Sequence, residues 1–282
     1  MSETLLVIIP HYGDRERLDR CLLALRLHTT IPYEVVIYDD ASGTLPEDTL
    51  DGVKSIRHFP FNSNFTSMVN SALRDFPGYT DYCLLNNDVT VTAGWESAVL
   101  ALRADPQAAA ATPMIRHADD PAQIILAGVG TAFPGVYESG HESQADPKRL
   151  TETRNIRWVP FTCAILKGES VRAVGMLDPN LRYICSDSDW SFRARWMGWT
   201  LLYVGSAVVL HSHTTTGPGD NSFLQECFIA DRALMLDKWG QRALLALDNA
   251  DDGVAPYAAE WVGWSQAGGR EPVWGERPVV AR

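Results

Sequence analysis

Short aliphatic runs alternate with helix-periodic segments through the first hundred residues, and this alternation limits the fold more than any other feature of the chain. Predicted strands cover residues 5–9, 34–38, 53–59 and 82–85. Predicted helices begin near residue 14 and cover residues 65–76 and 95–102. Continuous aliphatic runs are typical of strands that are buried on both faces. The pattern predicts a parallel, doubly wound sheet whose strand carboxyl ends share one edge.

The second half of the chain predicts a different mixture of elements. Strands are predicted at 108–115, at 158–166 as one bent strand or a pair, and at 201–210. Helices are predicted at 168–174, from 186 or 187 to about 197, and at 222–247. Residues 116–150 are rich in Gly, Pro, Asp and His, which predicts hairpins and loops. We therefore expect an α/β domain over residues 1–248 and an irregular, Trp- and Gly-rich tail over residues 249–282.

Composition excludes several classes of protein. A net charge of −11 and the lack of a Lys/Arg-rich run make a nucleic-acid partner unfavourable. The apolar N-terminal stretch is too short for a signal peptide, and no window is long enough for a membrane span. The five cysteines are dispersed and form no CxxC pair. This predicts buried free thiols in a reducing cytoplasm rather than a zinc site or a disulfide framework.

Polar side chains follow the predicted strands where these end. Pro10 ends the first strand, Asp39 and Asp40 follow the second, and Asn87 and Asp88 follow the fourth. In open α/β sheets the carboxyl edge is where ligands bind. Asp39 could accept hydrogen bonds there from a nucleobase or a ribose, and Asp88 could bind Mg²⁺ or Mn²⁺. The alternative is that both residues only form turns or cap helices.

Two further groups of polar residues lie in the second half. Asp187 is placed at a helix N-terminus, where the helix dipole would keep it ionised as a general base requires. Its alternative role is helix capping alone. Asp189 and Arg193 are four residues apart on that helix, which predicts an ion pair. His211 and His213 close a strand on one face, where they could bind a metal or be purely structural.

Taken together, these segments resemble the inverting family-two glycosyltransferases with the GT-A nucleotide-diphospho-sugar transferase fold, in their rhamnosyltransferase-like branch. The matching segments, in family order, are 7–12, 35–42, 62–70, 84–88, 161–164, 175–178, 187–193 and 208–211. Each segment is short, but their order and spacing are specific and span roughly residues 4–240. The resemblance implies a single GT-A-like, Rossmann-like domain with a mixed, mostly parallel sheet. Residues 1–105 would bind the nucleotide, and residues 106–248 would bind the acceptor and catalyse transfer.

The resemblance also implies an activity. This is the metal-dependent, inverting transfer of a hexosyl or deoxyhexosyl group from a UDP-, dTDP- or GDP-linked donor, with Mn²⁺ or Mg²⁺ as the cofactor. The acceptor would be a hydroxyl group of a carbohydrate, a lipid-linked glycan or another compound, as in polysaccharide biosynthesis. We expect the enzyme in the cytoplasm or at the inner face of the membrane, and a homodimer is compatible with this assignment.

The matched motifs assign a role to each candidate residue. Asp187 would be the general base, Asp88 would bind the metal with help from His211, and Asp39 would bind the base or ribose. The other expected donor-binding residues are Pro10, His11, Tyr12, Asn64 and Asn87. The residues expected to position the acceptor or the donor sugar are Asp189, Trp190, Arg193 and His213.

Three departures from the family pattern keep alternatives open. Ser186 stands where the family usually has Glu, Asn86 replaces the first Asp of the DxD motif, and Asn64 replaces a Gly. With Asp88 as the one remaining carboxylate, the donor's own phosphates would have to complete the coordination of the ion. A catalytically impaired sugar-nucleotide-binding module therefore stays open. A nucleotidyltransferase also stays open, although residues 11–15 poorly match the Gly-rich basic loop of that class.

Overall fold

The computed structural model describes residues 3–47, 49–126, 150–212 and 222–239. Within these residues, ten strands form one sheet with helices on both faces. The strands are β1 (Leu5–His11), β2 (Tyr33–Asp39), β3 (Ser55–His58), β4 (Asp81–Leu85), β5 (Val89–Val91), β6 (Ala108–His117), β7 (Ile124–Leu126), β8 (Thr153–Asn155), β9 (Cys163–Lys167) and β10 (Thr200–His211). The helices are α1 (Arg15–His28), α2 (Phe65–Asp75), α3 (Ser97–Ala104), α4 (Gly168–Val174), α5 (Ser186–Trp196) and α6 (Ser222–Trp239).

The order of the strands creates a crevice at one edge of the sheet. The order is β3-β2-β1-β4-β9-β6-β10-β5, with β7 beside β6 and β8 beside β10. Strands β3, β2, β1 and β4 run parallel, as do β6 and β10, whereas β9 is antiparallel to β4 and β6. The predicted mixed, mostly parallel α/β sheet is confirmed. Because β1 lies between β2 and β4, the strand order reverses there, and the carboxyl ends of β1 and β4 flank a crevice.

Strand β1 is buried on both faces, which explains its unbroken aliphatic sequence. Leu5, Val7 and Ile9 belong to an apolar core that includes residues of α1 and α3. Leu6 and Ile8 belong to a second core that includes residues of α2, α4 and α5. Alternate side chains of a strand point to opposite faces, so each face of the sheet has its own core. Removing these two cores from water supplies the main driving force for folding.

The structure narrows one predicted strand and describes only part of other predicted segments. The strand expected over 158–166 is limited to β9, because residues 158–162 form coil and a turn. Residues 116–126 include the expected hairpin of β6 and β7, and residues 127–149 lie outside the described residues. The helix expected over 222–247 is described as far as Trp239, and the tail at 249–282 also lies outside. Among the described helices, none has both the length and the apolarity needed to cross a membrane.

All five cysteines are buried free thiols, as the sequence predicts. They are Cys21, Cys83, Cys163, Cys185 and Cys227. Burial raises the pKa of the Cys21 thiol far above its usual value, and it acts in the same direction on Cys185. Thiols of this kind stay protonated and pack as small apolar side chains.

Gly168, the first residue of α4, lies where two segments of backbone approach each other closely. Its N–H donates to the Thr80 carbonyl oxygen at 2.7 Å. A Cβ atom at this position would lie 2.1 Å from the Tyr79 carbonyl oxygen. Because the neighbouring atom belongs to the backbone, no side-chain rotation can relieve that overlap. A residue without a Cβ atom is therefore required here.

We predict that Gly168→Ala lowers the free energy of unfolding by roughly 1–3 kcal/mol, the usual effect of inserting atoms into a closely packed site. Urea unfolding followed by circular dichroism measures this change. Arg172→Ala is the control, because Arg172 is an exposed residue of the same helix. It should change the free energy of unfolding by no more than about 0.5 kcal/mol. Equal stabilities of Gly168→Ala and the wild type would contradict the close approach.

Candidate active site

A hydrogen-bonded cluster joins the carboxyl ends of β1 and β4 at the crevice. The Asn87 side-chain amide donates to His11 Nδ1 at 2.9 Å and to the Tyr12 carbonyl oxygen at 3.3 Å. His11 Nε2 lies 3.0 Å from Thr44 Oγ1. Burial lowers the pKa of His11, so the ring is neutral, with Nδ1 accepting and Nε2 donating. Pro10 is buried within β1, so of these residues Tyr12, 37% exposed, is the one that offers a ring to solvent.

Asp39 and Asp40 are buried at the end of β2 and are bonded within the protein. Asp39 Oδ2 lies 2.9 Å from His58 Nδ1, and Asp39 Oδ1 accepts the Ser42 N–H at 3.3 Å. Asp40 accepts both the N–H and the hydroxyl of Ser63. A nucleobase or ribose that binds Asp39 must therefore share or displace these partners.

Asn64 explains why a glycine is usual at its position. Its backbone φ of +84° and ψ of 162° lie in a region that is occupied almost only by glycine. Its N–H donates to Asp40 at 3.2 Å, and its side chain caps α2 by accepting the Ser67 N–H at 3.0 Å. Asn64 therefore replaces a glycine while supplying a helix cap that glycine lacks.

Asp88 and His211 lie side by side, as a shared metal site requires. His211 Nε2 is 3.2 Å from Asp88 Oδ1, and the two side chains are 11% and 10% exposed. Pairing of β5 with β10 places His211 opposite Val89, which is the residue that follows Asp88 in the chain. A carboxylate oxygen suits Mn²⁺ well, and an imidazole nitrogen is a common metal ligand that suits Mn²⁺ less than oxygen does. In the described part of the chain no group of three or more His, Cys, Asp or Glu converges that could hold a metal ion by itself.

Asp187 is the second residue of α5 and is not the N-cap of that helix. The N-cap residue is Cys185, whose φ is +64° and whose side chain makes no capping hydrogen bond. Asp187 Oδ1 accepts the Ser188 N–H at 2.7 Å. Burial raises the pKa of Asp187 to about 6, although hydrogen bonds from the Ser188 and Phe161 N–H groups act in the opposite direction. Desolvation therefore outweighs these hydrogen bonds, and with a pKa of about 6 Asp187 is still mostly ionised at neutral pH.

One short segment connects Asp187 to the donor edge of the sheet. The Thr162 carbonyl oxygen accepts the N–H of Asn86, the first residue after β4, at 3.0 Å. The adjacent residue, Phe161, donates its N–H to Asp187. Thr162 thus contacts the loop that carries Asp88, and its neighbour Phe161 contacts the carboxylate of Asp187. The two predicted functional carboxylates therefore lie at the same edge of the sheet.

Asp189, Trp190 and Arg193 lie inside the protein rather than in the crevice. The expected ion pair is confirmed, with Arg193 Nε 2.9 Å from Asp189 Oδ2. Trp190 Nε1 donates to the Gly175 carbonyl oxygen at 3.0 Å. Since these buried side chains bond within the protein, any positioning of a sugar by them acts through the placement of α5. His213 lies outside the described residues.

Helix α6 contributes polar residues that the sequence did not single out. Asp231 is fully buried and accepts three backbone N–H groups, from Arg182 at 3.2 Å, Tyr183 at 2.9 Å and Ile184 at 2.9 Å. Lys238 Nζ lies 2.7 Å from both Asp178 and Asp189, and Trp239 Nε1 donates to Asp189 at 3.0 Å. An aspartate within a predicted long helix was the available signal in the sequence. The backbone groups that bond Asp231 are about fifty residues away in the chain.

We predict that Asp187→Asn stabilises the fold at neutral pH. The pKa of Asp187 is raised from 3.8 to about 6 in the folded protein, so folding takes up a proton between these values. Ionised Asp187 therefore opposes folding above about pH 6, and Asn removes that charge. The melting temperature of Asp187→Asn should exceed that of the wild type at pH 7.5, and the difference should shrink towards pH 4. A variant that melts below the wild type at pH 7.5 would contradict this; Asp19→Asn, on the exposed side of α1, is the control.

Sequence comparison relates the chain to a mycobacterial enzyme. No protein-family model matches the chain. The chain is similar to N-acetylglucosaminyl-diphospho-decaprenol L-rhamnosyltransferase from the CDC 1551 / Oshkosh and H37Rv strains of Mycobacterium tuberculosis. The identity is 26% over 242 residues, which cover 76% of this chain and 78% of that enzyme.

Solved structures extend the comparison to the fold. GalNAc-T7 with UDP, GalNAc and Mn²⁺ matches with a TM-score of 0.65 at 16% identity over 85% of this chain, which spans about half (49%) of that protein. The mannosyltransferase PcManGT of Pyrobaculum calidifontis, with GDP-Man and Mn²⁺, matches with a TM-score of 0.53 at 16% identity over 93% of this chain and 79% of that one. TarS 1–349 of S. aureus matches with a TM-score of 0.54 at 13% identity, covering 87% and 70%. The chain therefore has the GT-A glycosyltransferase fold and is a distant homologue of the mycobacterial rhamnosyltransferase.

Proposed function

We propose that the protein is a metal-dependent, inverting glycosyltransferase that moves a hexosyl or deoxyhexosyl group from a nucleotide-diphospho-sugar to an acceptor hydroxyl. Distant homology to a rhamnosyltransferase, together with the GT-A fold, supports sugar transfer from a nucleotide sugar. The homologue's name gives N-acetylglucosaminyl-diphospho-decaprenol as its acceptor. This favours a lipid-linked saccharide as the acceptor of the present protein.

The observation that carries the proposal is the link between Asp187 and the crevice edge. Phe161 and Thr162 contact Asp187 and the backbone after β4, respectively. An acceptor hydroxyl that reaches Asp187 would therefore approach a donor lying across the ends of β1 and β4. The reaction then depends on holding the two reactants in line, and this positioning supplies much of the rate acceleration of such transfers.

The Asp88–His211 pair fits a divalent cation by its ligand chemistry. It offers one hard carboxylate oxygen and one imidazole nitrogen in contact with each other at low exposure. Mn²⁺ or Mg²⁺ bound there would neutralise negative charge on the leaving nucleoside diphosphate. The expected role of Asp88 is to bind the cation at the donor edge of the sheet, and that of His211 is to supply the second ligand from the protein.

Asp187 acts as the general base in this proposal. As the acceptor oxygen forms its bond to the anomeric carbon, the bond from that carbon to the phosphate oxygen breaks, and its electron pair leaves with the nucleoside diphosphate. The acceptor's proton moves to the Asp187 carboxylate. A base with a pKa of about 6 is mostly ionised at neutral pH and binds a proton more strongly than an ordinary aspartate.

We predict that Asp187→Asn lowers kcat by about 10²–10⁴-fold, the usual contribution of general-base catalysis, because an amide cannot take the proton. The wild-type kcat/KM should also fall as the pH drops below about 6, the pKa of the free enzyme's base. Initial rates of sugar transfer between pH 5 and 8 measure both effects. Nucleotide-sugar affinity should persist in the variant. Near-wild-type turnover of Asp187→Asn would overturn the assignment of the base.

We predict that Asp88→Ala removes the Mn²⁺-dependent part of donor binding. In a thermal-shift assay, ligands that bind the folded state raise the melting temperature of the wild type. UDP-, dTDP- and GDP-sugars with Mn²⁺ should therefore stabilise the wild type, and EDTA should remove that effect. Asp88→Ala should show little stabilisation with or without Mn²⁺, whereas Asp119→Ala, at an exposed position, should behave like the wild type. A shift that is unchanged by EDTA in the wild type would contradict the metal site.

A further inference from the structure

The loop at residues 181–184 is held on two sides just before the helix that carries Asp187. On one side, the Thr66 hydroxyl donates to the Leu181 carbonyl oxygen, and the Thr66 N–H donates to that of Arg182 at 3.4 Å. On the other side, the Asp231 carboxylate accepts the N–H groups of the next three residues. Both ends of a four-residue loop are thus bonded to helices far away in the sequence.

The Asp231 contact is unusual for a surface loop. Its carboxylate is fully buried, and a buried charge is unfavourable unless hydrogen bonds replace its water. Three backbone N–H groups converge on it, and they thereby lose their freedom to rearrange. The carboxylate therefore fixes the backbone of residues 182–184 in one conformation, and with it the direction of the side chains.

Tyr183 is the side chain that this fixed backbone presents to solvent. The residue is 41% exposed although its own N–H is tied to Asp231 at 2.9 Å. Thr66, which anchors the loop, follows Asn64 by two residues, and Asn64 is bonded to Asp40 at the end of β2. The pKa of Tyr183 is raised, first by removal of its hydroxyl from water and then by the charges of Asp88 and Asp40. The anchors at Thr66 and Asn64 thus place the loop that carries this exposed ring beside the end of β2, at the donor edge of the sheet.

We propose that Tyr183 contacts the sugar of the nucleotide-sugar donor, and that Asp231 is a positioning residue that holds Tyr183 for this contact. The proposal rests on the proposed function, since it assigns a residue to the donor of that reaction. An aromatic ring offers an apolar face to the C–H groups of a pyranose, and a tyrosine hydroxyl can also bond a sugar hydroxyl. The bonds from Thr66 to the loop and from Asn64 to Asp40 place the loop on the donor side rather than beyond Asp187 on the acceptor side.

The test compares the affinity for a nucleotide sugar with that for the matching nucleoside diphosphate. Calorimetry with Mn²⁺ first identifies which of UDP-glucose, dTDP-rhamnose and GDP-mannose the wild type binds most tightly. The variants are Tyr183→Ala, Tyr183→Phe and Asp231→Asn, with Leu100→Ala as the control at a half-exposed position on α3. Each variant is measured below its own melting temperature. A nucleoside-diphosphate Kd close to that of the wild type shows that the nucleotide-binding half is folded.

Tyr183→Ala should raise the Kd of the nucleotide sugar about tenfold, as truncation of a contact residue commonly does. It should leave the nucleoside-diphosphate Kd within about twofold. Tyr183→Phe should keep most of the affinity because the ring remains, and Asp231→Asn should show the same selective loss as Tyr183→Ala. Leu100→Ala should change neither constant.

Three outcomes would overturn the contact. One is an unchanged nucleotide-sugar Kd in Tyr183→Ala, and another is an equal rise in both constants, which indicates a nucleotide or structural role. The third is a rise confined to the acceptor KM, which would move Tyr183 to the acceptor side. A lower melting temperature of Asp231→Asn without a selective loss of sugar affinity would reduce Asp231 to a structural residue. If the wild type binds none of the three donors with Mn²⁺, the proposed function fails together with the contact.

Discussion

Buried carboxylates that accept backbone N–H groups hold the loops around the crevice, and the rest of the site depends on them. Asp40 binds the N–H groups of residues 63 and 64, which begin α2. Asp231 binds those of residues 182–184, which lead into α5. Each carboxylate exchanges water for several N–H donors, which makes the loop rigid. The general-base candidate and the donor edge are thereby held in place without a ligand.

The two halves of the chain are joined by side chains and backbone groups rather than by a linker. Asn70 of α2 holds both the N–H and the carbonyl oxygen of Leu177 at 2.9 Å. The pairing of β5 with β10 brings His211 to Asp88 across more than a hundred residues of sequence. A site assembled in this way exists only when the whole sheet is formed. The same arrangement favours a glycosyltransferase over a nucleotidyltransferase, since β1 leads into a His11–Asn87 contact rather than into a Gly-rich basic loop.

Local pattern was sufficient for most elements, and the order of motifs led to candidate residues that the structure brings to one edge of the sheet. The aliphatic run at Leu5–His11 and the helical spacing after it required only burial and periodicity. The raised pKa of Asp187 could not be predicted, because sequence reveals a helix N-terminus but not the removal of water, which here is the larger effect. Asp189 and Arg193 were correctly paired but are buried rather than exposed in the crevice, since spacing along a helix does not say which side is buried. The partners of Asp231 could not be predicted, because they depend on how α6 packs.

The substitutions Ser186 and Asn86 raise the question of whether the protein is a catalyst or an impaired binding module, and the proposed mechanism requires catalysis with inversion. The most direct measurement is the anomeric configuration of the product, determined by NMR from the coupling at the anomeric carbon during transfer from the preferred nucleotide sugar. A single base at Asp187 and direct attack by the acceptor predict a configuration opposite to that of the donor. A product that retains the donor's configuration, or no transfer to any hydroxyl acceptor while the donor still binds, would contradict the proposed mechanism.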